Sequence, residues 1–98
     1  MAIDRAGRIE AALTMAFAPA TVRVIDDSAR HAGHAGAAPG GQTHYSVLVV
    51  SPAFVGVSRV QRSRDVHAVL EAEFGSGLHA LALTLRTPDE HAAAPVSR

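Results

Sequence analysis

The residues of this chain that could do chemistry are its histidines. There are six of them and no cysteine, so the chain forms no disulfide, offers no thiol nucleophile and builds no CxxC metal site. Metal or cluster chemistry has to use imidazole, carboxylate, or ligands brought by a partner. His79 follows Gly75-Ser76-Gly77 and heads the apolar run Leu78 to Leu85. It shares parity with Leu81, Leu83 and Leu85, which puts it at the open end of a leucine face, where a histidine serves either as a core-edge residue or as a ligand. His31 and His34 stand at i and i+3 in a glycine-rich segment, Arg30-His31-Ala32-Gly33-His34-Ala35-Gly36. Such a backbone can wrap a metal, although an HxxH spacing alone is a weak signal. His44 falls on the strand face opposite Tyr45 and reads as a cross-strand surface residue. A zinc hydrolase built on three of these imidazoles has the right ligand type, but no general base is evident near the loop, and an enzyme is not expected.

A second cluster is basic. Arg59, Arg62 and Arg64 crowd the first turns of a helix, where they oppose its dipole. That arrangement suits an anionic partner, or solvated arginines paired with Asp65 and other acids. The nine basic residues, all arginine, balance nine acids to a formal net charge of zero. A neutral chain lacks the clustered positive charge from which nucleic-acid binders draw affinity.

The elements that must position these groups follow from periodicity. Ninety-eight residues, 48% of them hydrophobic and 18% charged, predict one folded domain. Ile9, Leu13 and Phe17 recur every four residues, with Ala12 and Ala16 beside them, and make a helix capped by Asp4 and stopped by Pro19. Thr21 to Ile25 alternates as a strand with Val22 and Val24 inward, ended by Asp26-Asp27-Ser28. Residues 28–42 have no period and form a long loop of the kind that tends to be functional or disordered. Thr43 to Val50 is the clearest strand, with Tyr45, Val47 and Val49 on one face. Ser51-Pro52 breaks it, and Phe54 to Val57 is a short apolar turn. Ser58 then caps a second long helix with Val66, Val69, Leu70 and Phe74 as its buried stripe and Gly75 as its stop.

The resulting fold is α+β, a compact α-β-β-α-α-β domain. Its first two strands pair antiparallel, and a right-handed crossover sets the last strand parallel to the second. Helices cover one face of the three-stranded mixed sheet, and Ala80, Ala82, Thr84 and Arg86 face water on the other. The domain is expected over residues 1–90, with residues 91–98 a disordered tail that lacks a core pattern. The longest aliphatic stretch, Val47 to Val50, is too short to span a bilayer and the charged start leads into no apolar run, so a cytoplasmic protein without membrane attachment is expected.

Four segments, in this order and spacing, resemble the BolA family: Val24-Ile25-Asp26-Asp27-Ser28 with Arg30-His31; Thr43-His44-Tyr45 with Val49-Val50-Ser51; Phe54-Val55-Gly56 running into Arg62-Ser63-Arg64; and Leu78-His79-Ala80-Leu81-Ala82-Leu83. The resemblance runs from about Arg8 to Asp89. It implies a domain similar to the type II KH fold, without that fold's GxxG loop, since Gly56-Val57-Ser58-Arg59 has only the first glycine. It also implies a non-enzymatic partner of monothiol glutaredoxins that shares a bridging 2Fe-2S cluster with them, in iron homeostasis or cluster trafficking.

By that resemblance His79 is the cluster-facing histidine, and the loop supplies a second ligand at His31, with His34 as the alternative. A 2Fe-2S centre accepts imidazole in place of thiolate, and a glutaredoxin cysteine plus glutathione would supply the sulfur this chain lacks. No cofactor is then expected in the isolated protein. Because the ligand is neutral imidazole, such a cluster is expected to be lost as pH falls toward the free-histidine value of about 6.5. The chain departs from the family in having Arg62-Ser63-Arg64 where many relatives have Arg-His-Arg, and in a longer loop with an extra histidine. Some BolA-like proteins are proposed transcription regulators; here that alternative would use the 54–64 turn and helix, with Arg59, Arg62 and Arg64 on DNA phosphates.

Overall fold

The computed structural model describes residues 4–27 and 44–94. Helix α1 spans Arg5–Ala16. Asp4 caps it, its carboxylate accepting from the Gly7 N–H at 3.0 Å, which satisfies one of the free donors of the first turn. The four-residue spacing works as expected: Ile9 and Leu13 are wholly buried and Phe17 nearly so. Each such side chain contributes about 1.5–3 kcal/mol of transfer free energy.

Three strands follow, β1 (Thr21–Asp26), β2 (His44–Val50) and β3 (Ala80–Arg86). They lie in the order β1-β2-β3, with β1 antiparallel to β2 and β3 parallel to β2. Side chains alternate across the sheet. Tyr45, Val47, Val49 and Leu85 are buried against the helices, with Val22, Val24, Leu81 and Leu83 packed beside them. Ala80, Ala82 and Thr84 are exposed on the other face, as the alternation predicts. At the end of β2, Ser51 is fully buried. Its hydroxyl donates to the Phe17 carbonyl at 2.6 Å and accepts from the Ala53 N–H at 3.0 Å, joining α1 to the sheet.

The second half departs from expectation in three places. A 3-10 turn at Pro52–Phe54 leads to α2 (Arg59–Val69), capped by Ser58, but the expected long helix breaks at Leu70 and resumes as α3 (Glu71–Gly75). Val66 and Leu70 are buried, and Phe74 packs against the core; these three are four residues apart, whereas Val69 lies off the stripe and is 37% exposed.

The helix stop is also displaced. Gly75 remains helical, and Gly77 takes the left-handed conformation at φ +127°. The Leu78 N–H reaches back to the Glu73 carbonyl at 3.0 Å, the closing bond of a Schellman-type end with glycine as its left-handed residue.

The third departure is at the tail. Pro88–Ala93 forms helix α4, so the boundary expected at residue 91 falls inside a helix. Thr87 accepts from the Glu90 N–H at 3.1 Å while the Glu90 carboxylate accepts from the Thr87 N–H at 2.8 Å. That reciprocal capping box starts a helix without any apolar stripe. Among the described residues, no helix is long and apolar enough to cross a membrane.

Candidate functional site

His79 is exposed and sits one residue before β3 begins. The turn that presents it is held from below by Arg5, which is 8% exposed. Arg5 Nη2 donates to the Ser76 carbonyl at 2.9 Å and to its hydroxyl at 3.2 Å, and Nε donates to Glu73 Oε1 at 3.1 Å. Glu73 also accepts from Arg8 Nε at 2.9 Å. The Arg8 bond, reinforced by the nearby Arg5, holds the Glu73 carboxyl below its ordinary pKa. A Cβ on Gly77 would meet Arg5 Nη1 at 3.3 Å, so the glycine admits the arginine beneath the turn as well as the positive φ.

The expected placement of His79 on the leucine face is corrected by where the strand starts. Parity governs only residues inside the strand, and His79 lies just outside it. Its ring faces His44 instead: the centroids are 6.0 Å apart and the planes cross at 76°. His44 opens β2 and is half-buried. The parallel register aligns His44 with Ala80 and Tyr45 with Leu81, which brings the two imidazoles to the same end of the sheet.

The Asp27 N–H donates to the His44 carbonyl at 2.8 Å, and the Ser46 hydroxyl donates to the Asp27 carboxylate. A shallow depression of about 250 Å³ is lined by Asp27, His44, Tyr45, Ala80, Leu81 and Ala82. The segment between Asp27 and His44 therefore leaves and returns at this corner. His31 and His34 belong to that segment and lie outside the described residues.

Reading His44 as a surface residue missed its pairing with His79. The signal was available, because a parallel β2/β3 pair with Tyr45 and Leu81 both inward puts His44 beside Ala80. Among the described residues, no three histidine, aspartate or glutamate side chains are grouped to hold a metal. Two imidazoles at an exposed edge can supply part of a coordination shell, with the rest from outside.

The basic cluster is not one surface. Arg62 is 5% exposed, and its donors point inward. Nε donates to the Val57 carbonyl at 2.8 Å and Nη1 to the Leu85 carbonyl at 3.1 Å, while the guanidinium lies 5.5 Å from the centre of the Phe54 ring. Two further bonds go to Glu90, whose carboxyl is held down to about 2 by that contact and by the Thr87 N–H. The expectation that Arg62 contacts phosphate is thus corrected: burial and an internal carboxylate consume it. Arg59 and Arg64 are exposed. His67 stacks on Phe74 at 5.2 Å and donates from Nδ1 to the Ser63 carbonyl at 2.8 Å.

An α+β domain with one helix-covered, three-stranded mixed sheet is the fold class to which the comparisons also assign this chain. The model of the family described as BolA-like protein matches residues 13–90. The chain is 43% identical to human BolA-like protein 1 over 86 residues, covering 84% of this chain and 60% of the relative. It is 41% identical to SufE-like protein 1, chloroplastic/mitochondrial, of Arabidopsis thaliana over 91 residues, covering 89% of this chain and 24% of that one. The chain therefore spans less than two thirds of the length of both these relatives. The structure of BolA1 from Arabidopsis thaliana superposes with a TM-score of 0.81 at 36% identity, covering 97% of this chain and 100% of the other. This chain belongs to the BolA-like family.

Proposed function

We propose that this chain is a non-enzymatic adaptor that binds a monothiol glutaredoxin in the cytoplasm and co-ligates a bridging 2Fe-2S cluster, in iron homeostasis or cluster trafficking. The observation that carries the reading is the position of His79: an exposed imidazole on a turn anchored by Arg5, at the sheet corner where the 28–43 segment begins and ends. A shared cluster requires a ligand that a second protein can approach, and an edge imidazole on a fixed turn meets that requirement.

Imidazole replaces thiolate at one iron of a 2Fe-2S centre in Rieske sites, and this chain has no cysteine to offer. His79 is the first ligand in this reading, and His31 or His34 supplies the second. The cluster is the cargo: its sulfur ligands come from the glutaredoxin cysteine and glutathione. This chain's part is to present the imidazole on a fixed turn, where it can enter a shell that the partner completes.

The reading is tested by mixing the chain with a monothiol glutaredoxin, reconstituting anaerobically and recording visible circular dichroism. The mixed complex is expected to give a spectrum distinct from that of the glutaredoxin alone, and His79→Ala is expected to remove the difference. An unchanged spectrum with His79→Ala would overturn the ligand assignment.

A further inference from the structure

We infer that the free edge of β3 pairs with β3 of a second copy of this chain, antiparallel and in one register, so that two sheets join into a continuous one. The inference rests on main-chain geometry and not on the adaptor reading.

β3 is the last strand of the sheet, so one of its sides faces no other strand. Main-chain groups alternate in direction along a strand, those of residues two apart pointing the same way. The Ser51 N–H donates to the Arg86 carbonyl at 2.9 Å, which turns Arg86, and with it Thr84, Ala82 and Ala80, toward β2. The N–H and C=O groups of Leu81, Leu83 and Leu85 therefore point out of the sheet. In keeping with this, Arg62 Nη1 reaches the Leu85 carbonyl at 3.1 Å from outside. Among the described residues, nothing bonds the outward groups of Leu81 and Leu83.

Natural sheets guard such an edge with charge, proline or a covering element. Ala80 to Leu85 holds no charged residue and no proline, and the cover that Arg62 gives reaches only Leu85. Leu81 and Leu83 are half-buried, so an added strand removes apolar side chains from water as well as pairing the main chain.

The register follows from the same groups. With Leu81 opposite Leu83 of the second copy, and the reverse, both residues exchange N–H···O bonds in full and Ala82 faces its own counterpart on the two-fold axis. A shift by two residues one way sets Leu81 against Leu85, whose carbonyl Arg62 already holds. The opposite shift sets Leu83 against His79, which lies outside the strand. The contact is small, so the dimer is weak, with a dissociation constant of roughly 0.1–1 mM.

The test follows amide exchange by nuclear magnetic resonance on the full chain, well below and well above that concentration. The Leu81 and Leu83 amides should slow at least about fivefold in the concentrated sample, whereas the Ala82 and Thr84 amides, bonded to β2, should be protected in both. Equal rates for Leu81 and Leu83 at the two concentrations would rule the pairing out. Ala82 is exposed, so Ala82→Lys and Ala82→Asp leave the core untouched, and thermal unfolding confirms that each variant is folded. Each alone sets like charges opposite one another and should lower dimer content in sedimentation equilibrium severalfold. A one-to-one mixture of the two variants should restore it, because only a contact of residue 82 with itself converts two repulsions into an ion pair. Thr21→Lys, on the exposed β1 edge, should leave association unchanged. A mixture that stays as monomeric as its components, or loss of the dimer in Thr21→Lys but not in Ala82→Lys, would refute this interface. Neither glutaredoxin nor iron is present, so the result is independent of the cluster experiment.

Discussion

The guanidinium of Arg62 grips the carboxylate of Glu90 at two points, Nη1 to Oε1 at 2.7 Å and Nη2 to Oε2 at 3.2 Å. The contact joins α2 to α4 across 28 residues of sequence. A planar fork matched to a carboxylate is the strong form of this pairing. Arg62 also donates to two main-chain carbonyls, so its removal leaves acceptors behind as well as a carboxylate.

Arg62→Ala is therefore expected to destabilise the fold by about 2–4 kcal/mol, since the Val57 and Leu85 carbonyls lose a charged donor. Arg62→Lys should recover only part of the loss, because an ammonium cannot make the bidentate contact. Urea unfolding measures both; a loss below about 1 kcal/mol for the alanine variant would show that those carbonyls rehydrate freely.

The acid limb of stability should depend on Glu90 and Glu73. Both carboxyls are held below their ordinary value of 4.5, Glu90 at about 2. A group with a depressed folded-state pKa adds stability that is fully present above the unfolded value and is lost as pH falls through the folded one. Melting temperature should thus hold above about pH 5 and fall between roughly pH 4.5 and pH 2. Glu90→Gln should flatten that fall, and an identical acid limb in wild type and variant would refute the assignment to this residue.

Gly75 and Gly77 should respond oppositely to alanine. Gly75 is helical, with nothing within 4 Å of an added Cβ, so Gly75→Ala is expected to be neutral or to stabilise by up to about 1 kcal/mol. Gly77 is at φ +127° with Arg5 at 3.3 Å from an added Cβ, so Gly77→Ala should cost about 1–3 kcal/mol. The same variant should increase amide exchange at Ser76 and Leu78, the residues flanking the glycine in the turn that carries His79. Equal melting temperatures for the two variants would contradict this.

Ser51→Ala removes a fully buried hydroxyl that bonds both the Phe17 carbonyl and the Ala53 N–H. The expected cost is about 1–3 kcal/mol. Ser51→Thr should retain most of the bonding and lose stability only through the added methyl. A melting temperature for Ser51→Ala within experimental error of wild type would exclude a structural role for this bridge.

Local chemistry explains which features could be read from the chain alone. The four-residue spacing of Ile9, Leu13 and Phe17, the Asp4 and Ser58 caps and the alternation of Tyr45, Val47 and Val49 each depend on neighbours a few residues away. The α+β class and the antiparallel-then-parallel sheet follow from the order of such segments. The capping box of Thr87 and Glu90 is equally local, but helix α4 carries no apolar stripe to mark it as a helix.

Other features depend on partners distant in sequence. Whether an arginine near a helix start faces water or the interior is decided by Glu90 and by the carbonyls of Val57 and Leu85, none of which helical spacing can place beside Arg62. Likewise, Arg5, at the far end of the domain's sequence, packs beneath Gly77, a contact that no local spacing announces. The histidines divide the same way. The chain by itself marked His79 as a residue at the head of a strand, because glycines and alternating leucines are local signals. Only the parallel pairing of β2 with β3, which sets His44 opposite Ala80, brought it beside His79, since strand register is settled by burying two apolar faces together.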